Sequence, residues 1–331
     1  MRAFASRVWA VAACTLLVTG PSFERAATAA GGGSCNRACL DHQVDDYFAA
    51  LVAHDPGRLP LAPGVKFVEN TVPMHPGEGL WKTASAAPTS FKIYVPDPTA
   101  QQVGFIGVMQ ESGKPVEIAL RLKLANGKIT EIEHLVARNL RDSSLANLET
   151  PRPGLLAKVP TAERSTREQL LKIGASYYDA LVGGNGSAAP FADDCARREN
   201  GMQTSSNKTP PKETPISNAG AASGSMAKLG ALGCAAQINT HVFDYIKRIE
   251  PRRVWIADVE TGLVFGLSQF RQPMQENSVK IVGVPGIDSV PMNFKPFDLP
   301  AAHIFKVRDG KIHQIEALGT VLPYDSKTGW E

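Results

Sequence analysis

No stretch of the sequence carries the GxSxG turn of a serine hydrolase, a phosphate-binding P-loop or an HExxH zinc helix. Gly31-Gly32-Gly33 opens no strand–turn–helix dinucleotide fingerprint. Cofactor-dependent reactions are therefore disfavoured, and the expectation is no cofactor. CxxC pairs and clustered histidines are missing as well, so no metal site is expected among the cysteines. Charge of one sign is barely in excess. The formal net charge is +3, of which Arg2, Arg7, Glu24 and Arg25 together supply +2. The remainder, about +1, gives no electrostatic footprint for nucleic acid or anionic lipid. The apolar run from Val8 to Val18 is too short to span a bilayer.

What is present suits a globular protein. Apolar residues make up 43% and charged residues 20%, enough to build a core and too little charge for a disordered chain. The 331 residues leave room for two domains. Residues 1–30 combine a basic start (Arg2, Arg7), the Val8–Val18 run and the small-residue exit Ala27-Thr28-Ala29, the grammar of a signal peptide. A secreted or periplasmic location is expected. Its removal takes Cys14 away and leaves Cys35, Cys39, Cys195 and Cys234. Four cysteines allow three pairings. The favoured one joins Cys195 to Cys234 across a Ser/Gly/Ala/Pro/Thr-rich stretch, 201–233, and Cys35 to Cys39 at a frayed helix start.

The chain repeats itself. Tyr47-Phe48-Ala49-Ala50-Leu51-Val52 matches Tyr177-Tyr178-Asp179-Ala180-Leu181-Val182 at an offset of 130, which holds through Glu69-Asn70 and Glu199-Asn200. Ala119 to Ile129 then matches Ala302 to Ile312 at an offset of 183, with an intermediate match near Phe105 and Phe265 at about 160. The second copy therefore carries insertions, placed at 201–233 and 272–300. Prolines 273, 285, 291, 296 and 300 argue against regular structure in the latter. Each copy starts with a helix, carried in the first by Leu40, Val44, Tyr47, Phe48 and Leu51, and continues as hairpins. The last hairpin turns on Asn126-Gly127 or Asp309-Gly310. Pro-rich residues 149–162 read as a linker between domains at 31–148 and 163–331.

Helix-first order, a central hairpin and the closing (N/D)-G-K-I-x-x-I-E segments at 126–133 and 309–316 resemble the nuclear transport factor 2-like superfamily, and most nearly its snoaL-like polyketide cyclase branch. The resemblance implies an α+β fold of two tandem cones, each with N-terminal helices on a strongly curved antiparallel sheet around an apolar pocket. In superfamily dimers the sheets stack, which here implies an intramolecular pseudo-dimer. That fold hosts isomerases, dehydratases, cyclases, epoxide hydrolases and binding modules, so function rests on the site.

Residues kept in both copies are explained by the shared fold, and polar residues on the inner face of one copy need another reason. Glu69 and Glu199 occur in both and are candidate pocket acids, with Asn70 and Asn200 at chain reversals. Asp97 and Asp258 precede hairpin reversals, where turn stabilisation is the plain reading. His303 shares a strand face with Phe305 and Val307, whereas the first copy has Leu120, Leu122 and Leu124. His134 is the mirror case, matched by Ala317. An enclosed histidine transfers protons near neutral pH or, in the plain reading, is a hydrogen-bonded core residue. His241 falls in 238–249, which reads as an amphipathic helix through Val242, Tyr245, Ile246 and Ile249. Arg253, beside Arg252, either orients an anionic substrate or belongs to a solvated rim. Tyr47, Tyr177 and Tyr178 recur on the inner helix face. Asn185-Gly186-Ser187 and Asn207-Lys208-Thr209 are glycosylation sequons.

The expected function is a secreted, cofactor-independent lyase or isomerase acting on a small organic molecule by elimination, isomerisation, cyclisation or water addition. His303 would be its acid or base, Glu199 or Asp258 the acidic partner, His134 a further candidate, and Tyr178, Arg253, His241 and Tyr47 substrate-binding groups. The alternative is an exported binding module for a hydrophobic ligand or a protein. Convergence of His303, Tyr178 and Glu199 on one cavity would separate the two.

Overall fold

The structure, a computed structural model, describes residues 34–138, 140–208 and 223–331. The segment read as a signal peptide lies outside the described residues, as does the middle of the first insertion. In the first unit α1 (Arg37–Val52) precedes β1 (Leu61–Glu69), β2 (Val72–Met74), β3 (Ala84–Ala86), β4 (Lys92–Asp97), β5 (Gln102–Glu111), β6 (Lys114–Ala125) and β7 (Lys128–Ala137). The helical turns α2 (Asp142–Leu145) and α3 (Pro153–Leu156) follow. The second unit runs α4 (Arg167–Gly183), β8 (Phe191–Glu199), β9 (Met202–Gln203), α5 (Ser223–Ala231), α6 (Cys234–Ile238), β10 (Arg248–Asp258), β11 (Leu263–Gln272), β12 (Ser278–Lys280) and β13 (Ser289–Pro291). It ends with β14 (Phe297–Arg308), β15 (Lys311–Gly319) and β16 (Leu322–Pro323).

Local chemistry explains the helix starts. Asn36 caps α1 by accepting from the Cys39 amide, and the Cys35–Cys39 disulfide closes the same turn. Thr166 and Gln169 form a reciprocal capping box on α4. At the strand ends, Asn126-Gly127 and Asp309-Gly310 all take positive φ, as tight hairpins demand. Each unit has a curled seven-stranded sheet, β2-β1-β7-β6-β5-β3 with β4 also on β5 in the first and β9-β8-β15-β14-β11-β10 with β16 also on β14 in the second, so that β4 and β10 take matching places. The sheets are antiparallel except for one pair each, since β1 runs parallel to β7 and β8 to β15.

The two sheets pack against each other through Phe91, Ile93, Ile106, Phe265, Leu267 and Ile304. The approach is close enough that a Cβ on Gly104 would fall 2.3 Å from the Phe265 ring. Two matching ion pairs cross this contact. Arg37, opening α1, meets Asp258 at 2.6 Å, and Arg167, opening α4, meets Asp97 at 2.8 Å. Both aspartates also hold their own turns through the amides of Glu260 and Ala100.

Four local readings need correction. Residues 238–249 are not one helix: α6 stops at Ile238, His241 takes a φ of +64°, and β10 begins at Arg248. The Thr240 hydroxyl bonds the Gln237 carbonyl and receives the Val242 amide, offering the backbone a competing set of bonds. The 272–300 insertion does contain strands, the β12–β13 hairpin and the start of β14. Pro300 stands opposite Gln269 of β11 and, on its other side, accepts the Thr320 amide just past the end of β15. Residues 149–162 do not run free. Leu155 and Val159 are buried, and the Lys306 ammonium caps the carbonyls of Leu155, Ala157 and Thr261. Finally, β5 and β11 correspond at an offset of 161, because Phe105 faces Leu120 where Gly266 faces His303.

Candidate functional site

Side by side, the two cones differ in what fills them. In the first, the Tyr47 hydroxyl bonds His134 Nε2 at 2.8 Å, and His134 Nδ1 meets Glu69 Oε2 at 3.2 Å. Glu69 is buried, accepts the Leu80 amide and lies 3.5 Å from Arg138. Burial pushes its pKa up, but the His134, Leu80 and Arg138 contacts outweigh it and hold the carboxyl below its ordinary value. Trp81 packs edge-on to Tyr47, Phe67 to His134, and Phe48 tilts on Phe105. Six rings fill this cone.

The second cone keeps Tyr47 as Tyr177 and changes several of the others. Counting along the repeat, Phe67 becomes Arg197, Phe48 becomes Tyr178, Phe105 becomes Gly266, Leu120 becomes His303 and His134 becomes Ala317. A cavity of about 330 Å³ results, lined by Tyr177, Glu199, Tyr245, Phe270, His303 and Ala317. Arg138, Arg141 and Ser144 close it from the segment that follows the first unit. A second, larger groove of about 710 Å³ adjoins it, sharing Glu199, Met202, Thr204, Phe243 and Tyr245 as a common wall. Its far side comes from α5 and the 272–300 segment, through Met226, Leu229, Met292 and Phe294. The Cys195–Cys234 disulfide ties the start of α6 to β8 beneath it.

His303 is 3% exposed, stacked between Phe305 and Phe270, with the Tyr178 hydroxyl 3.3 Å from Nδ1. Burial, and secondarily the Arg197 charge, lower its pKa to about 3. The imidazole is therefore neutral at physiological pH. Arg197, 1% exposed, holds Glu199 through Nε at 2.6 Å and bonds Gln237 at 2.7 Å, while its plane lies over Phe243. Burial pushes Tyr177 up to about 12 despite the Arg197 charge, and Tyr245 is raised further for the same first reason. Both phenols stay protonated.

The low pKa of His303 has a stability consequence. Unfolded chains take up a proton below about 6.5 that the native cone refuses until about 3. This contribution is complete above 6.5 and is lost at about 1.4 kcal/mol per pH unit as pH falls through that window. His303→Leu, the first unit's residue, is expected to shrink the stability difference between about pH 7 and pH 5 by about 2 kcal/mol in urea titrations. An unchanged difference would refute the assignment.

The structure thus brings His303 and Glu199 to one cavity, with Tyr178 behind the imidazole and Tyr177 on the wall. Other candidates are elsewhere. Asp258 is the partner of Arg37, and Arg253 holds Glu133 in a bidentate pair at 2.5 and 2.6 Å between the units. His241 faces Asp244 at 3.1 Å, and Tyr47 and His134 belong to the filled cone. Arg197, Arg141 and Tyr245 were not singled out from sequence. For Arg197 the signal was available, since an arginine stands 130 residues after Phe67.

Residues 163–319 match the family model described as a domain of unknown function, DUF8021. That match covers the second unit through β15. No curated protein matches the chain. Among solved structures the chain is similar to an NTF2-like protein of unknown function from Cytophaga hutchinsonii ATCC 33406, with 14% identity over 29% of this chain and 88% of that one and a TM-score of 0.25. It is also similar to a protein named as a polyketide cyclase from Xanthomonas campestris pv. campestris, at 19% identity over 46% and 92% with a TM-score of 0.28. A protein named as a SnoaL-like polyketide cyclase from Jannaschia sp. CCS1 shows 14% identity over 48% and 88%, TM-score 0.28.

Proposed function

We propose that the second unit is a cofactor-independent enzyme of lyase or isomerase type, moving protons on a small organic molecule held in its cone. The observation that carries this reading is the emptying of one cone of two, with a carboxylate, a phenol and a neutral imidazole left on the wall of the space. Glu199 is the proton-accepting group: it is half-exposed at the junction of both chambers, and Arg197 orients it. In this reading Tyr178 donates to His303 Nδ1, and Tyr177 and His303 Nε2–H are donors for the oxygen on which charge develops. His303 is thus a donor rather than the base, because a pKa of about 3 leaves it no proton affinity at neutral pH. The first unit is the filled half of an intramolecular pseudo-dimer. Two disulfides favour an exported protein, since such bonds persist in oxidising compartments.

The test is mass spectrometry of an extract of the native producer incubated with the protein or with Glu199→Gln. A compound consumed by the unmodified protein and turned over about 100-fold more slowly by the variant supports the enzyme. An unchanged molecule co-purifying with both supports the binding module, which the apolar outer groove also favours.

A further inference from the structure

Resting on the second cone as the small-molecule site, we infer that its ligand is a monocarboxylate with an extended aliphatic body, the carboxylate on Arg141 and the chain passing into the outer groove. Two cations line the inner cavity, and they differ in pairing. Arg138 is held by Glu111 at 2.5 Å and lies 3.5 Å from Glu69. The Arg141 guanidinium is half-buried and has no hydrogen-bond or ion-pair partner among the described residues. The cavity's carboxylate, Glu199, is already taken by Arg197. Arg141 is therefore the cation on this wall without an anionic partner among the described residues.

A guanidinium fork matches a carboxylate with two parallel hydrogen bonds, strengthened where water is partly excluded. A monoanion supplies the single partner that Arg141 lacks. A phosphate, with nearly two charges, would place its excess beside Glu199, which lines the same cavity. The apolar body follows from the second chamber. The cone alone sits at the low end of the size range of small-molecule pockets, and the adjoining groove is about twice as large. Met202 on the shared wall, with Met226 and Met292 beyond it, gives a surface of unbranched, adaptable side chains suited to a flexible chain. Met226 and Met292 lie in segments that the first unit lacks.

Calorimetric titration of the full protein with octanoate, dodecanoate and hexadecanoate, alongside dodecan-1-ol, tests this. Affinity is expected to rise with chain length, and dodecanoate to bind at least about tenfold tighter than dodecan-1-ol. Arg141→Gln should bring dodecanoate down to the alcohol's affinity and leave the alcohol unchanged. Met226→Asp should weaken hexadecanoate and spare octanoate. Equal binding of acid and alcohol, or a preference that survives Arg141→Gln, overturns the carboxylate assignment while leaving the cone as the site. Binding that does not depend on chain length overturns the role of the groove. Failure of every acid overturns the whole inference, and the extract experiment then decides separately whether the cone acts on another compound.

Discussion

His134→Ala is expected to destabilise the protein by about 4 kcal/mol in denaturant unfolding. The substitution removes a ring packed against Tyr47 and Phe67 and strips the buried Glu69 of its main hydrogen-bonding partner. An unpaired buried carboxylate and an empty space add together. A loss below about 1 kcal/mol would show that the Tyr47–His134–Glu69 line is not a stability element. Turnover measured on the folded fraction should be unaffected, since none of the three lines the second cone's cavity.

The converse substitution has the larger effect on activity. Ala317→His is expected to lower turnover by more than about 1,000-fold while changing stability by about 1 kcal/mol or less. Ala317 stands opposite Glu199 in the β15–β8 register, as His134 stands opposite Glu69 in β7–β1. Tyr177 occupies the place of Tyr47, so the imidazole meets a phenol and a carboxylate as in the first cone, with Arg197 and His303 standing where Phe67 and Leu120 receive it there. It would fill the cavity and engage Glu199. Steady-state assay on the compound found in the extract gives the answer, and full activity in the variant would place the chemistry outside this cone.

Much of this arrangement was legible because it is local. Side chains alternate across a strand, so a single match between strands was enough to set His303 and His134 on inner faces without any coordinates. The offsets of 130 and 183 paired Tyr47 with Tyr177 and Glu69 with Glu199, and the Asn-Gly and Asp-Gly dipeptides located the closing hairpins. Where reading failed, a distant partner was the reason. Asp258 reads as a turn residue or a catalytic acid until Arg37, 221 positions away, takes its carboxylate. Arg253 reads as an anion-binding group until Glu133 occupies both its terminal nitrogens. The helix expected through His241 had the right periodicity, but its apolar residues serve a run of turns facing the cone and groove.

Helix-first order, two copies, the hairpin turns and the inward histidines follow from periodicity and turn chemistry, which act over a few residues and are written directly in the chain. Which cone is hollow could not be read that way. It depends on Gly266 facing His303 where Phe105 faces Leu120, on Ala317 facing Glu199, and on insertions folding back to form a second chamber. A cavity is the volume left when side chains from separate strands fail to meet, and that sum exists only once the strands are in register.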